Sequence, residues 1–269
     1  MRILRTIAGL REALEPFEVG FTVGLVPTMG AFHGGHLALF RAARAECDAV
    51  VASLFVNPAQ FARGEERSYP RDETTDGRLA EEEGVDFLFA PGAEEMYPPG
   101  YQTWVEVEEL SRGLEGRFRP GHFRGVATVC LKLFTIVRPQ IAYFGAKDAQ
   151  QAAVVSRLVR DLALPLELRV LPTERDEDGL ALSSRNVLLG SAERKAAAGL
   201  PRALAAGAEA AALAEDPAAA AMAVLEAEPL LQPDYVEVAD LDGLRVLAAA
   251  VRVGSTRLID NVTLRGTPA

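Results

Sequence analysis

Val26-Pro-Thr-Met-Gly-Ala-Phe-His-Gly-Gly-His36 is the stretch that decides the fold. It follows the apolar run Phe21–Val26, which predicts a short buried strand, and it precedes residues 37–47, whose apolar positions have helical spacing. A strand, a glycine-containing turn and a helix start bring backbone N–H groups and the positive end of the helix dipole to one point. Because His33 and His36 are three residues apart, both can face one bound group, and we predict a phosphate.

The segments after this stretch alternate between helix and strand patterns. Residues 49–56 are almost wholly apolar, as in a parallel strand that is covered on both faces, and the strand ends with Asn57 and Gln60 at its carboxyl end. A helix over 72–83 and a strand over 86–90 follow. This order predicts an open parallel α/β sheet whose ligands bind at the carboxyl ends of the strands.

The remaining segments predict a second, smaller domain. A strand is predicted over 102–107, and the basic, glycine-rich loop 116–125 leads into a helix over 126–137. The composition then changes near residue 173, so we predict a Rossmann-like open parallel sheet domain over 1–174 and a smaller α+β C-terminal domain over 175–269. Further predicted elements are a strand and a helix within 1–17, a strand over 140–144, a helix over 149–162, a strand over 166–171, helices over 191–213 and 217–226, and strands over 234–238, 245–253 and 256–261.

Composition and charge exclude several classes of protein. The formal charge of −10 over 269 residues argues against a general nucleic-acid binder, because phosphate backbones are held by basic surfaces. The chain lacks an apolar run near the roughly 20 residues of a membrane span, and its first residues lack a signal-peptide pattern. We therefore expect a cytoplasmic protein that binds neither nucleic acid nor membrane. Cys47 and Cys130 lie on apolar helix faces and are expected to be buried free thiols.

Three histidines and one lysine are the first candidates for chemistry. His33, His36 and His122 all fall in glycine-rich loops, which suits phosphoryl or nucleotidyl transfer, where fixed donors meet charge that grows on phosphate oxygens. The alternative for His36 is that it only caps the start of its helix. Lys147 lies within Gly145-Ala-Lys-Asp148, after a predicted strand, and can follow a phosphate as a flexible point charge.

A second set of candidates is basic or hydroxylic. Ser183-Ser184-Arg185 follows an acidic, glycine-containing loop, which predicts a mobile segment that closes over phosphates. Arg119, His122 and Arg124 form a basic cluster in an otherwise acidic chain. The sequence contains neither a Walker phosphate loop nor a Gly-x-Gly-x-x-Gly stretch, so a nucleotide would bind through the His-x-Gly-His turn.

Carboxylates and amides near helix starts complete the candidates. Asp72 and Asp76 could help to hold a magnesium ion, although Asp72 can equally start its helix. Asp148 is a candidate helix cap, a nucleotide contact, or both. Gln151 follows one turn later and projects to the same side of the helix start.

Six blocks of the chain have the order and spacing of one enzyme family. They are Pro27–His36, Phe55–Phe61, Tyr69–Arg71, Gly121–Val126, Tyr143–Gln151 and Asp178–Asn186. These blocks resemble the pantoate–β-alanine ligases, also called pantothenate synthetases, within the wider superfamily of His-x-Gly-His nucleotidylyltransferases. Six blocks in one order are specific for the family, whereas the His-x-Gly-His turn alone indicates only the superfamily.

The resemblance implies an ATP-dependent ligation in two steps. Pantoate and ATP form pantoyl adenylate and pyrophosphate with Mg²⁺, and β-alanine then attacks the acyl carbon to give pantothenate and AMP. It also implies a homodimer whose small C-terminal domain acts as a moving lid.

The resemblance assigns roles residue by residue. The expected ATP-site residues are Met29, Gly30, Ala31, Phe32, His33, Gly34, Gly35, His36, Gly145, Ala146, Lys147, Asp148, Glu174, Leu182, Ser183, Ser184 and Arg185. The expected substrate-binding residues are Gln60, Gln151, Asn57, Arg119 and His122, and the Gln60 side also serves β-alanine. The expected catalytic residues are His36, His33, Lys147 and Arg185. Asp76 is the candidate metal ligand from the carboxylates described above, and the resemblance does not assign it.

The chain departs from the family pattern at three positions. Ala146 replaces a common Glu and Leu182 a common Met, and both are expected to contribute backbone or apolar contacts. Glu174 replaces a Val whose backbone contacts adenine. A backbone contact can still form with Glu, and we expect the side-chain packing to differ from that of Val.

Other functions also fit the His-x-Gly-His turn. Another enzyme of the superfamily would transfer a nucleotide to a phosphorylated acceptor, but Asn57, Gln60 and Gln151 suit a small acid that carries hydroxyls. A non-catalytic nucleotide sensor would be expected to have lost a histidine, Lys147 or Arg185, and all are present. A tRNA synthetase would need an anticodon-binding domain and does not suit an acidic chain of this length.

Overall fold

The computed structural model describes residues 1–62, 64, 66 and 69–264. Contacts divide the chain into unit 1, Met1–Gly145 with Gln151–Leu171, and unit 2, Ala146–Gln150 with Pro172–Ala269. The grouping of Ala146–Gln150 with the later segment is a feature that the sequence did not predict. The last five residues of the predicted C-terminal domain, 265–269, lie outside the described residues.

Unit 1 contains an open parallel sheet with helices, as predicted. Within its described part, the sheet has six strands in the order β1-β4-β3-β2-β5-β6, all parallel to their neighbours. The strands are β1 Arg2–Leu4, β2 Val23–Val26, β3 Ala49–Ser53, β4 Phe87–Phe89, β5 Ile141–Gly145 and β6 Glu167–Leu171. The first seven helices of the chain are α1 Ile7–Leu14, α2 Gly34–Glu46, α3 Glu73–Glu82, α4 Ala93–Met96, α5 Glu115–Phe118, α6 His122–Val137 and α7 Ala149–Asp161. The first two residues of α7 are grouped with unit 2.

Alternate residues of the central strands enter two different apolar clusters, one on each face of the sheet. On β3, Ala49 and Val51 belong to the cluster that includes α6, whereas Val50 and Ala52 belong to the cluster that includes α2. All four side chains are fully buried. Because β3 is covered on both faces, none of these side chains reaches solvent, and the sequence of the strand is a continuous apolar run.

The strand order places the reversal of the sheet between β2 and β5, which pair in parallel. In open α/β sheets, ligands bind outside the carboxyl ends of the strands at this reversal. Strand β2 ends at Val26 and is followed by residues 27–33, so the fold carries the opening stretch of the sequence to the position where such sheets bind ligands.

One predicted strand is wrong. Residues 102–107 form no strand, although Val105 and Val107 pack against the core cluster of unit 1. The N–H of Val105 donates to the hydroxyl of Thr128 on α6 at 3.1 Å, so a helix side chain takes the place of a neighbouring strand.

Unit 2 has the predicted α+β composition. In the part that is described, β7 Leu231–Leu241, β8 Leu244–Val253 and β9 Thr256–Thr263 form an antiparallel sheet in that order. The helices are α8 Ser191–Ala197, α9 Gly199–Ala212 and α10 Pro217–Glu226, so the predicted stretch 191–213 is two helices. A Cβ on Gly207 would lie 2.2 Å from the Leu247 side chain and 2.7 Å from the Pro217 carbonyl oxygen, so glycine permits close packing of α9.

Two further findings concern the cysteines and the length of the apolar helices. Cys47 and Cys130 are free and buried, as predicted, and burial raises the pKa of both thiols. Over the described ranges, no helix is both long enough and apolar enough to cross a membrane.

Candidate active site

The turn after β2 ends in two histidines that cap α2. His33 is the N-cap residue, and its Nδ1 accepts the N–H of Gly35 at 3.2 Å. The Nδ1 of His36 accepts the N–H of His33 at 3.3 Å, and the ring centroids are 4.2 Å apart. Because each Nδ1 accepts from a backbone donor, each neutral ring carries its proton on Nε2. The two rings are tilted by 49° to each other, and His36 also takes part in the helix cap. That both rings face one bound group stays a prediction.

The first turn of α2 is suited to an anion. It consists of Gly34, Gly35 and His36. None of these three residues carries a carboxylate that would offset the positive end of the helix dipole. Gly34 is exposed, and a Cβ on Gly35 would lie 3.0 Å from the His33 ring. Two Nε2–H donors and a glycine helix start together can bind a phosphate.

A buried carboxylate holds the turn just before the histidines. Asp76 of α3 accepts the N–H of Ala31 at 2.9 Å and the N–H of Phe32 at 2.7 Å, and only 2% of the residue is exposed. Ala31 has a φ of 54° and Gly30 a φ of 92°, a left-handed turn whose N–H groups form an anion-binding concavity. Asp76 fills this concavity from inside the protein. Burial raises the pKa of Asp76, and the two N–H bonds oppose that rise.

The magnesium-ligand role of Asp76 stays a prediction, and in the structure this carboxylate holds the backbone turn. Both of its oxygens are bonded to backbone N–H groups, and among residues 1–62, 64, 66 and 69–264 no group of three or more His, Cys, Asp or Glu could hold a metal ion. Asp72 has the helix-start role, since its side chain accepts the N–H of Thr75 at 3.0 Å as the N-cap of α3.

Gln60 joins two of the predicted stretches. Its Nε2 donates to the Met29 sulfur at 3.1 Å, and its Oε1 accepts from the Asn57 amide at 3.0 Å. The Tyr97 hydroxyl donates to Asn57 Oδ1 at 2.8 Å, and burial raises the pKa of this phenol, so it stays a donor. Sequence reasoning missed Tyr97 because it lies outside every motif, and the sequence carries no signal for it.

His122 and Arg119 both bind the carbonyl oxygen of Gln60, to which the Nη2 of Arg119 donates at 3.5 Å. The Nη1 of Arg119 lies 3.3 Å from the Nε2 of His122, and a guanidinium has only donors, so Nε2 accepts. The proton of His122 is then on Nδ1, which donates to the Gln60 carbonyl oxygen at 2.9 Å. Arg124 does not join them, because its guanidinium lies over the Trp104 ring at 4.8 Å. Of the three residues predicted to form a basic cluster, Arg119 and His122 are in contact, whereas Arg124 packs on Trp104.

His122 begins a helix and is not a loop residue, contrary to the sequence-based expectation. Gly121 has a φ of 80°, which ends the preceding turn and lets α6 start at His122. A Cβ on Gly125 would lie only 2.3 Å from the Ala59 carbonyl oxygen, so glycine lets α6 approach the 58–60 turn. This approach brings His122 within reach of Gln60.

The lysine turn belongs to unit 2. Residues Ala146–Asp148 form a 3₁₀ turn, and the side-chain amide of Asn261 donates to the carbonyl oxygens of Ala146 at 3.0 Å and Lys147 at 2.8 Å. Sequence reasoning missed Asn261, since a single asparagine in a strand belongs to no motif.

The serine–arginine segment of unit 2 is closed by backbone hydrogen bonds. The N–H of Leu182 donates to the Glu174 carbonyl oxygen at 2.9 Å, which joins two predicted ATP contacts. Ser183 Oγ accepts the N–H of Arg185 at 3.2 Å, and the Arg185 guanidinium donates to the Arg257 carbonyl oxygen at 3.5 Å. Glu174 is exposed, so its carboxylate does not displace a core side chain. The other predicted site residues are half-buried, namely Gly145, Ala146, Asp148, Gln151 and Ser184.

A family model matches nearly the whole chain. Residues 2–263 match the model of the Pantoate-beta-alanine ligase family. The chain belongs to this family. The family resemblance of the six sequence blocks is thereby confirmed over nearly the whole chain.

Relatives within the pantoate–β-alanine ligase family are similar over their full length. The chain is 54% identical to the pantothenate synthetase of Roseiflexus sp. (strain RS-1), over 98% of this chain and 99% of the relative. It is 51% identical to the pantothenate synthetase of Heliobacterium modesticaldum, over 97% of this chain and 99% of the relative.

Solved structures of the family have the same fold. Pantothenate synthetase from Thermus thermophilus matches 99% of this chain and 100% of its own, with a TM-score of 0.93 and 48% identity. Pantoate-beta-alanine ligase from Francisella tularensis, complexed with beta-gamma ATP and beta-alanine, matches 100% of both chains with a TM-score of 0.84 and 32% identity. The expected fold, a Rossmann-like sheet followed by a small α+β domain, is confirmed.

Proposed function

We propose that this chain condenses pantoate with β-alanine to pantothenate, through pantoyl adenylate, at the expense of ATP. The observation that carries the proposal is the hydrogen-bonded series Met29–Gln60–Asn57, with His122 on the Gln60 carbonyl. It joins Met29, four residues before the first histidine of the His-x-Gly-His turn, to amides that the family resemblance assigns to the substrate pocket. The family match and the relative bound to ATP and β-alanine support the same activity.

In the first step, a carboxylate oxygen of pantoate attacks the α-phosphorus of ATP. The new O–P bond forms as the bond to the β-phosphate oxygen breaks and pyrophosphate leaves. Negative charge on the phosphate oxygens is met by the Nε2–H groups of His33 and His36 and by the start of α2. Following the family resemblance, we also assign Lys147 and Arg185 to the phosphates, because an ammonium and a guanidinium both neutralise phosphate charge.

Gln60 and Asn57 orient the acid. A thioether is a weak acceptor, so the Gln60 amide loses little when it exchanges the Met29 sulfur for an oxygen of pantoate. Asn57 is 1% exposed and is fixed by Tyr97, so the Gln60 carboxamide keeps its orientation during that exchange. Gln151 is proposed to bind the same acid.

In the second step, the amine nitrogen of β-alanine attacks the acyl carbon of pantoyl adenylate. The C–N bond forms, the bond from the acyl carbon to the phosphate oxygen breaks, AMP leaves and the amine loses a proton. Adenylation makes this possible because AMP is a far better leaving group than an oxide ion. The Gln60 side of the pocket is proposed to bind β-alanine as well.

Three further parts of the proposal rest on the family resemblance. Magnesium is proposed to enter as a complex with ATP, because Mg²⁺ is usually bound through substrate phosphates rather than by a protein cage, and Asp76 is committed to backbone N–H groups. The protein is proposed to be a homodimer with a C-terminal lid. A cytoplasmic location is proposed, and the buried free thiols Cys47 and Cys130 suit a reducing compartment.

Exchange of labelled pyrophosphate into ATP tests the proposed function. The intact protein is incubated with ATP, Mg²⁺ and pantoate, without β-alanine, and label in ATP is measured against a reaction that lacks pantoate. Exchange that depends on pantoate, with pantothenate and AMP formed after β-alanine is added, is the expected result. Exchange with a phosphorylated acceptor but not with pantoate would overturn the ligase proposal in favour of another nucleotidylyltransferase.

A further inference from the structure

A residue of β9 holds the turn that carries Lys147. Asn261 lies 114 positions after Lys147, and its Nδ2 donates to the carbonyl oxygens of Lys147 at 2.8 Å and Ala146 at 3.0 Å. A carboxamide NH₂ has two N–H donors, so one side chain can make both bonds. The two bonds fix the short backbone segment from which the lysine side chain projects.

Asn261 is itself held in place. Its backbone N–H donates to Asp260 Oδ1 at 2.8 Å, and β9 pairs it with Ala248 on the neighbouring strand. Asp260 is 2% exposed and accepts two hydrogen bonds from the Arg175 guanidinium, at 2.6 and 3.0 Å. A bidentate guanidinium–carboxylate pair sets orientation as well as charge. The series Arg175–Asp260–Asn261 therefore supports the lysine turn from within unit 2.

The packing of β9 does not need an amide at this position. Leu258 lies in the apolar cluster of unit 2 and Val262 packs against it, whereas Asn261 is half-buried and directs its donors to the turn. A lysine ammonium is a point charge on a flexible four-carbon stem. Its average position therefore depends on the position of the backbone that carries it.

We propose that Asn261 is a positioning residue that places Lys147 for transfer of the adenylyl group. The proposal rests on the proposed function, in which Lys147 acts on the phosphates of ATP. It assigns no contact with substrate to Asn261, which acts through the turn.

The test is pantoate-dependent exchange of pyrophosphate, with Asn261→Ala compared with Thr263→Ala. Thr263 is an exposed residue of the same strand, two positions further on and so on the same face, which makes it a matched control. We expect the maximal exchange rate of Asn261→Ala to fall about tenfold with the KM for pantoate unchanged, and Thr263→Ala to stay within twofold of wild type.

A double-mutant cycle separates positioning from a general structural role. If Asn261 acts through the lysine, Asn261→Ala slows exchange in the wild-type protein but has little further effect in Lys147→Met. A structural role would slow exchange by the same factor in both backgrounds, which would overturn the proposal. Thermal unfolding of each variant checks that it is folded, and Asn261→Asp, which keeps the shape but turns two donors into acceptors, serves if Asn261→Ala does not fold.

The outcomes distinguish the inference from the function on which it rests. If Lys147→Met exchanges pyrophosphate at the wild-type rate, the role assigned to the lysine is wrong. If Lys147→Met is slow while folded Asn261→Ala and Asn261→Asp are as fast as wild type, the lysine keeps its role and the positioning inference is wrong.

Discussion

Replacing Asp76 by Asn tests whether a buried carboxylate prepares the turn at residues 30–32, which is proposed to bind ATP. In the native protein, its two oxygens accept the N–H groups of Ala31 and Phe32. An asparagine keeps one acceptor and points an NH₂ group at the other backbone N–H. A hydrogen bond to a charged group is worth about 1.5–3 kcal/mol, and a left-handed alanine costs about 1–2 kcal/mol that those bonds offset. Two such bonds amount to about 3–6 kcal/mol, and because the neutral amide avoids burial of a charge we take roughly half of this, about 1.5–3 kcal/mol, as the net loss.

This loss falls on the turn before ATP binds. Because a tenfold change corresponds to about 1.4 kcal/mol, we expect kcat/KM for ATP in the exchange assay to fall by about 10- to 100-fold in Asp76→Asn. Asp72→Asn is the matched control, since Asp72 caps the same helix and asparagine is as good an N-cap as aspartate. We expect this control to stay within twofold of wild type.

The comparison also separates a turn anchor from a metal ligand. A magnesium ligand would give a loss that shrinks as the magnesium concentration is raised, whereas a turn anchor gives the same loss at every concentration. Folding is checked by thermal unfolding and far-UV circular dichroism. If folded Asp76→Asn matches Asp72→Asn in kcat/KM for ATP, the two N–H bonds do not prepare the turn and the reasoning is refuted.

Three further variants probe contacts that lie within unit 1 or within unit 2. Tyr97→Phe removes the donor to Asn57, so the KM for pantoate should rise about fivefold, the equivalent of about 1 kcal/mol, and an unchanged KM would contradict this role. Gly125→Ala puts a Cβ 2.3 Å from the Ala59 carbonyl oxygen, so the Tm should fall by on the order of 5 °C in a thermal scan, and an unchanged Tm would contradict the close packing. Burial raises the pKa of Asp234 but two arginine partners outweigh it, so the native pKa lies below the usual value. The Asp234 carboxylate therefore stabilises the fold above the unfolded-state pKa of about 3.9, and this stabilisation is lost as the pH falls through the native pKa. We expect the Tm of Asp234→Asn to fall less steeply than that of wild type between about pH 5 and 3.

The parallel sheet was predictable because strands that are buried on both faces have a recognisable sequence, a continuous run of apolar residues. Strand β3 is apolar at nearly every position, since each face of it lies in a separate cluster. The error at 102–107 has the same origin. Val105 and Val107 alternate because one side of an extended segment packs on the core, but its N–H bonds to Thr128, and a period of two does not reveal what the backbone pairs with.

The candidate site was predictable where its contacts are local. The His-x-Gly-His turn forms within four residues, through bonds from Gly35 to His33 and from His33 to His36. Tyr97 and Asn261 bind residues 40 and 114 positions away, so no local pattern marks them. Asp76 carried an ambiguous signal, because a carboxylate in the first turn of a helix suits a metal, a dipole or a backbone turn equally well.

The hydrogen bonds of Gln60 differ in strength in a way that suits substrate exchange. Its carbonyl oxygen accepts from His122 at 2.9 Å and its Oε1 accepts from Asn57 at 3.0 Å, and both partners are buried. Its Nε2 is bonded instead to the Met29 sulfur, a weak acceptor. The two stronger bonds fix the Gln60 backbone and its Oε1. The remaining donor, Nε2, is bonded to the Met29 sulfur, which is the weakest of the three partners and the easiest for a ligand to replace. In the proposed function, an oxygen of pantoate would replace the sulfur without disturbing the groups that orient the amide, and such preorganisation lowers the cost of binding.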